Sequence, residues 1–398
     1  MRNHISQLYN LSLAPSRRII GLMSGTSLDG LDVVLCRFDG CGKKTTAKLE
    51  HFETVPYDES FKEKIRTVFS LKTVDLQQLT LLNVYIAEQH AGMVLNCLKK
   101  WVIEAKDVDL LASHGQTVYH APRWFHGIEG MPNATLQLGD GDHLAVRSGI
   151  ITVSDFRQKH LAAGGEGAPL ALYGDYFMFS QPGEDRILLN IGGIANFTWL
   201  PGSGDAGAVF ATDCGPGNTL LDAFARELFE VPYDRDALLA RAGVVEQGML
   251  ENLLADPFFD LPLPKSTGPE LFTKAWIQKA VDQRPKGNIN PYNLMATLTA
   301  LSATTIAEAV GRVSRTAEKA GLYLSGGGAH NPLLRAMLEA LLPDWPVYDF
   351  SVLGISGDAK EAVLFAALAN ETVAGEDPEG ALLGGVPLVG MGKISFPG

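Results

Sequence analysis

An α/β fold built as two domains is what this sequence predicts, on three observations. Runs rich in Ile, Val and Leu alternate with helical stretches along the chain, the pattern of strands and helices in an α/β fold. The 398 residues are more than one hydrophobic core ordinarily serves, so two domains are expected. A unit of strand, small polar turn and strand at residues 18–40 recurs in arrangement, though hardly in sequence, at 186–202. That recurrence reads equally as duplication of a whole domain or as two unrelated hairpins.

Taken in order, residues 1–17 read as a loosely held extension, with Pro15 and the pair Arg17-Arg18 ahead of the first clear strand. RRIIGLMSGTSLDGLDVVLCRFDG is strand, turn, strand, with Asp29-Gly30 as the turn pair because both tolerate positive φ. Residues 60–105 are helical in pattern, with Leu79, Leu82, Ile86 and Val94 among the apolar positions. DLLASHGQTV (109–118) is a strand ending in a polar loop, and the β-branched run in GIITVSDFR (149–157) suits a buried parallel strand. AAGGEGAPL (162–170) is a glycine-rich loop before a helix.

Residues 206–229 read as strand, DCGPGN loop and helix, and the proline-rich stretch 255–272 as a long surface loop. A long helix follows at 290–313, with Asn290 as its cap and Pro291 in its first turn. LYLSGGGAHNPLLRAMLEAL (322–341) is strand, triple glycine, helix, and a final helix opens near Asp358.

The formal net charge is −12. Such a chain repels phosphate backbones, so no nucleic-acid partner is expected. Cys36, Cys41, Cys97 and Cys214 form no CxxC pair or zinc spacing and read as reduced thiols in a cytoplasm. No signal peptide and no membrane span are expected from the apolar runs.

Four glycine-rich loops, MSGTS, NIGG, DCGPGN and SGGG, each follow an apolar strand. Ligands of open α/β sheets sit beyond the carboxyl ends of strands, and glycine lets backbone N–H groups approach a polyphosphate. The chain lacks GxxxxGK[ST], GxSxG and HExxH, which excludes a P-loop enzyme, a serine-hydrolase elbow and a zincin.

These loops resemble the superfamily of sugar kinases, heat-shock ATPases and actin. GLMSGTSLDGLD, SHGQT, SDFR, AAGGEGAPL, LNIGGIAN, DCGPGN, KSTG and LSGGGAHN, in that order, are similar to the anhydro-N-acetylmuramic acid kinase family from about Ile19 to Leu388. The N-terminal extension and Pro269, after KSTG, depart from it.

The resemblance implies a two-domain actin-like ATPase (sugar kinase) fold with a duplicated core and an interdomain cleft that closes on its ligands. It divides the chain into the extension 1–17, a first domain of 18–182 plus 355–398, and a second of 183–354. It implies a cytoplasmic enzyme of peptidoglycan recycling that uses ATP, Mg2+ and water. Its substrate would be the amino sugar 1,6-anhydro-N-acetylmuramic acid, converted to N-acetylmuramic acid 6-phosphate. A homodimer is compatible with the family. The competing expectations are a kinase of the same fold for another hexosamine, and an ATP-gated binding module.

Residue by residue, the resemblance makes Asp213 the general base, where the chain alone would read a cap for the following helix. Gly25, Thr26, Ser27, Leu28, Asp29, Gly30, Leu31 and Asp32 would meet the phosphates, with Ser24 beside them, and Asp29 or Asp32 would hold the metal through water. Gly192, Gly193 and Asn196 would hold phosphate from the second domain, and Gly326, Gly327, Gly328 and Asn331 would lie by the adenosine. His114, Gln116, Arg157, Gly167 and Glu361 would contact the sugar, Arg157 through its lactyl carboxylate. The plainer readings are a structural ion pair for Arg157, a hydrogen-bonded core residue for His114 and a solvated helix residue for Glu361.

Overall fold

The structure is a computed structural model that describes residues 3–25, 28–168, 170–268, 271–283, 289–376 and 381–398. Thr26, Ser27 and Pro269 therefore lie outside the described residues. The chain forms two compact units, Met1–Met178 with Gly354–Gly398, and Phe179–Leu353.

Unit 1 begins with strands β1 (Ser16–Ser24), β2 (Gly30–Asp39), β3 (Thr46–Pro56), β4 (Leu110–Ala121), β5 (Ala134–Leu138) and β6 (Thr152–Ser154). Unit 2 holds β7 (Glu184–Ile191), β8 (Ile194–Leu200), β9 (Phe210–Pro216), β10 (Lys319–Ser325) and β11 (Val347–Asp349). The chain returns to unit 1 for β12 (Leu382–Leu383), β13 (Val386–Pro387) and β14 (Lys393–Ser395).

The two main sheets repeat one plan. In unit 1 the order is β14-β6-β4-β1-β2-β3, with β5 beside β4; in unit 2 it is β11-β10-β7-β8-β9. Each sheet has an antiparallel meander of three strands, a fourth strand parallel to the first, and a fifth parallel to the fourth. Two unrelated hairpins would not share this connectivity. The core is duplicated, and its plan is the actin-like one.

In unit 1 one sheet face, with Ile20, Leu22, Val33 and Leu35, packs on Ile86 and Val94 of the helix Leu76–Trp101. The other face receives the helix Lys360–Ala374, which approaches so closely that a Cβ at Gly21 would overlap the Ala362 carbonyl. In unit 2 the helix Pro291–Gly311 runs through the core, with Asn290 Oδ1 accepting from Tyr292 N as its cap. This helix is long and apolar enough to cross a membrane, but it is buried among Leu250, Phe258 and Ile277 on one side and Leu189 and Leu322 on the other.

Four expectations are corrected. The N-terminal extension is not loose: residues Asn3–Leu13 form a helix. The buried Arg17 guanidinium donates to Leu11 O and Ala14 O behind that helix, and to Gly40 O and Asn370 Oδ1 in the body of unit 1. Among its described residues the stretch 255–272 is only partly a surface loop: Leu261, Pro262 and Pro264 are exposed, but Phe258, Phe259, Lys265 and Phe272 are buried, because the aromatic residues pack inward. The helical region 60–105 is two helices, Glu59–Arg66 and Leu76–Trp101, each capped by an aspartate, Asp58 and Asp75. Finally, Asp29-Gly30 is not the hairpin turn. Leu28 takes the positive φ, since Gly30 is already paired with Pro56 and Tyr57 N holds Asp29 O.

Candidate active site

In unit 2 the expected loops converge. Gly217 N and Asn218 N donate to Gly193 O and Gly192 O at 2.9 and 2.8 Å, and Asn218 Nδ2 donates to Ile191 O at 3.0 Å. A Cβ at Gly217 would overlap Gly192 O, and one at Gly328 would overlap Ile191. Gly326, at φ +79°, lies against Asn190. The NIGG, DCGPGN and SGGG loops thus pack on one another, and glycine is required where they touch. The sheet register also sets Ser325, Asn190, Asn196 and Asp213 in one row across β10, β7, β8 and β9.

Asp213 ends this row, half-buried. Its Oδ2 accepts from Thr267 N at 2.7 Å. Burial raises its pKa, against the pull of that hydrogen bond. The KSTG segment is therefore a brace for Asp213. Asp213 N donates to Lys265 O at 2.9 Å, and Lys265 Nζ is spent on Phe258 O and Phe259 O at 2.9 and 3.0 Å. The plainer reading, Asp213 as helix cap, does not hold: the helix Asn218–Phe229 has no side-chain cap.

Beside these loops is a cavity of about 420 Å³ lined by Gly327, His330 and Asn331 and by Asn218, Asp222, Tyr233, Arg235 and Asp236. The last four escaped sequence reasoning. Asn331 also caps the helix Pro332–Leu341, accepting from Leu333 N and Leu334 N.

In unit 1, a positive φ at Gly115 bulges β4. His114 turns toward one face, its ring 4.7 Å from that of Phe365, and Gln116 toward the other, bonded to Ser24. Arg157 Nε donates to His114 Nε2 at 3.0 Å, and its NH1 donates to Gly167 O at 2.8 Å. Burial, then the Arg157 charge, holds His114 down at about 3; burial brings Arg157 down to about 10, against the pull of Glu361. Solvent reaches Glu361, yet the protein crowded around it, ahead of any single charge, raises its carboxyl pKa. Lys360 and Arg157 oppose that rise, and Asp32 and Asp175 add to it. His114, Arg157 and Glu361 are thus brought together. His120, which no motif marked, is lowered in pKa by burial and then by the Arg157 charge, against the pull of Glu166.

Other residues expected at the ligand are engaged within unit 1 itself. Gln116 is wholly buried, bonded to Ser24 Oγ and to Gly25 O and Thr117 O. Ser24 is spent on Gln116 and Tyr57, so it supports the hairpin tip rather than gripping a ligand. Gly167 uses its N–H on His160 Nδ1 and its carbonyl on Arg157, so it fixes Arg157. Leu28 and Leu31 are core residues, so only their backbones could face a ligand. Asp32 accepts from Thr54 Oγ1 at 2.6 Å; burial raises its pKa, and the nearby Asp358 and Asp29 add to the rise.

The family model for anhydro-N-acetylmuramic acid kinase matches residues 17–381. The chain belongs to the anhydro-N-acetylmuramic acid kinase family. It is 53% identical to the anhydro-N-acetylmuramic acid kinase of Pseudoalteromonas atlantica and 47% identical to that of Pseudoalteromonas translucida, in both cases over 100% of each chain. Among solved structures, the activator of the 2-hydroxyisocaproyl-CoA dehydratase from Clostridium difficile with bound ADPNP aligns over 89% of this chain and 95% of that one. The identity there is 13% and the TM-score 0.41.

Proposed function

We propose that this family member is an ATP-dependent anhydro-N-acetylmuramic acid kinase of peptidoglycan recycling, a phosphotransferase with an alcohol acceptor. It would convert 1,6-anhydro-N-acetylmuramic acid, water and ATP into N-acetylmuramic acid 6-phosphate and ADP, in the cytoplasm, where ATP is supplied. The observation that carries the mechanism is Asp213, a half-buried carboxylate of raised pKa whose Oδ2 is fixed by Thr267 N–H.

A carboxylate held this way suits a general base. Asp213 takes the proton of a water whose oxygen bonds to C1 from the face opposite the bridge, an inverting geometry. The C1–O6 bond breaks, and O6 is the oxygen that accepts the γ-phosphoryl group while ADP leaves. Phosphoryl transfer asks for positioning and charge stabilisation. The backbone of the first hairpin (Gly25 to Asp32) and of Gly192 and Gly193, with Asn196, supplies these to the phosphates. The cavity beside Gly327 and Asn331 takes the adenosine, and Gly326 and Gly328 shape its loop. Arg157 pairs with the lactyl carboxylate, and Glu361 holds a sugar hydroxyl.

Burial raises the pKa of Asp32, and Asp358 and Asp29 lie close enough to add to the rise; a cation would relieve that repulsion. Mg2+ held through water by Asp29 or Asp32 would neutralise phosphate charge.

The test is whether ADP release requires the sugar. Turnover only with 1,6-anhydro-N-acetylmuramic acid supports the reading. Turnover with another hexosamine only, or slow ATP hydrolysis indifferent to sugar, points to the other kinase or to a gated module.

A further inference from the structure

Tyr57 lies outside every motif that pointed to function, yet it grips the first hairpin at both ends. It follows β3 and is buried. Its backbone N–H donates to Asp29 O at 3.1 Å, and its hydroxyl donates to Ser24 Oγ at 2.7 Å. Ser24 ends β1 and Asp29 precedes β2, so one residue spans the mouth of the hairpin tip.

The hydroxyl belongs to a longer chain. Tyr57 O lies 2.9 Å from His90 Nε2. The Tyr57 proton goes to Ser24, so His90 must be the donor, with its own proton on Nε2. Ser24 in turn donates to Gln116 Oε1, and Gln116 Nε2 reaches Gly25 O at 3.4 Å. His90, Tyr57, Ser24 and Gln116 thus donate in one direction, from the helix Leu76–Trp101 to the hairpin tip. Such chains strengthen each link.

Packing alone does not call for these groups. Tyr57 stacks on Phe61 at 4.1 Å between ring centres, which a phenylalanine would do as well. Burying a hydroxyl and an imidazole costs stability unless their hydrogen bonds are needed.

We propose that Tyr57 is a positioning residue for phosphate binding, holding the first hairpin in shape through His90, Ser24 and Gln116. This rests on the reading that the hairpin meets the phosphates of ATP.

The test compares Tyr57→Phe with the wild-type protein by thermal melting, amide hydrogen exchange at Gly25 and Leu28, and steady-state kinetics. The substitution keeps the ring and the backbone N–H and removes only the link to Ser24. The expected result is faster exchange at the hairpin and kcat/KM for MgATP lowered about tenfold, as one buried hydrogen bond allows, with KM for the sugar unchanged. Ser24→Ala cuts the same link from its acceptor side and keeps the test open if Tyr57→Phe folds poorly. The double variant should be no worse than the worse single one. Wild-type exchange at the hairpin in both single variants overturns the proposal. Faster exchange with unchanged kcat/KM for MgATP overturns instead the phosphate role of the hairpin.

Discussion

Arg157 Nε donates to His114 Nε2 at 3.0 Å, which fixes His114 as a neutral acceptor with its proton on Nδ1. A histidine in a polar motif at a strand end invites a role as acid or base, but one held at about 3 does not titrate in the working range. Its task is to aim Arg157, whose other arm is fixed by Gly167 O.

Arg157→Lys should therefore lower kcat/KM for the sugar about a hundredfold while leaving KM for ATP unchanged. Lysine cannot hold the sugar carboxylate, His114 and Gly167 with one ammonium. Steady-state kinetics with each substrate varied in turn would check this.

Two buried histidines make the fold acid-sensitive. His114 and His90 are both held at about 3, against about 6.5 in an unfolded chain. Below 6.5 the unfolded state binds more protons, so their contribution is fully present above that pH and is lost as pH falls from about 6.5 toward 3. Urea unfolding at stepped pH should show this decline, and His114→Gln, which keeps an acceptor for Arg157, should flatten it.

The Asp213 carboxyl, raised above its ordinary value by burial, should set the acid limb of kcat/KM, with activity falling as pH drops through that pKa. Asp213→Asn should lower turnover about a thousandfold or more, with ATP affinity nearly unchanged by calorimetry.

Gly21 allows the helix Lys360–Ala374 to seat against β1. Gly21→Ala should cost about 1–3 kcal/mol, the usual cost of overpacking a core, read as a lower midpoint in denaturant unfolding. Glu361 rides on the same helix, so the sugar KM should rise as well.

The cavity beside Gly327 makes a claim of its own. Tyr233→Ala should weaken ATP, ADP and adenosine alike, by about tenfold if it packs on the nucleoside, with the sugar KM unchanged. Binding of all three by calorimetry would check it.

Much of this was legible in the chain because it is local. Asn290 and Pro291 mark the start of a helix by cap chemistry alone, and the hairpin theme at 186–202 needs only alternation and glycine. The mutual packing of the NIGG, DCGPGN and SGGG loops is likewise marked by glycine, which close backbone approach demands. What escaped depends on partners distant in sequence. Gln116 and Ser24 look like ligand-facing residues until they are seen to bond each other, with Tyr57 donating to Ser24 and Gln116 donating to Gly25 O and Thr117 O. Lys265 looks available until Phe258 and Phe259 present their carbonyls to it. Asp222 and Tyr233 carry no motif, and only folding places them beside Gly327.

In the proposed reaction one protein both opens the anhydro bridge and transfers phosphate, with Asp213 activating the water. The most direct test is mass spectrometry of the sugar product formed from 1,6-anhydro-N-acetylmuramic acid and MgATP in isotopically heavy water. The expected product carries one phosphate on O6 and one solvent oxygen at C1, and is formed by the wild-type protein and not by Asp213→Asn. A phosphorylated sugar that keeps its bridge, or equal product from Asp213→Asn, would contradict it.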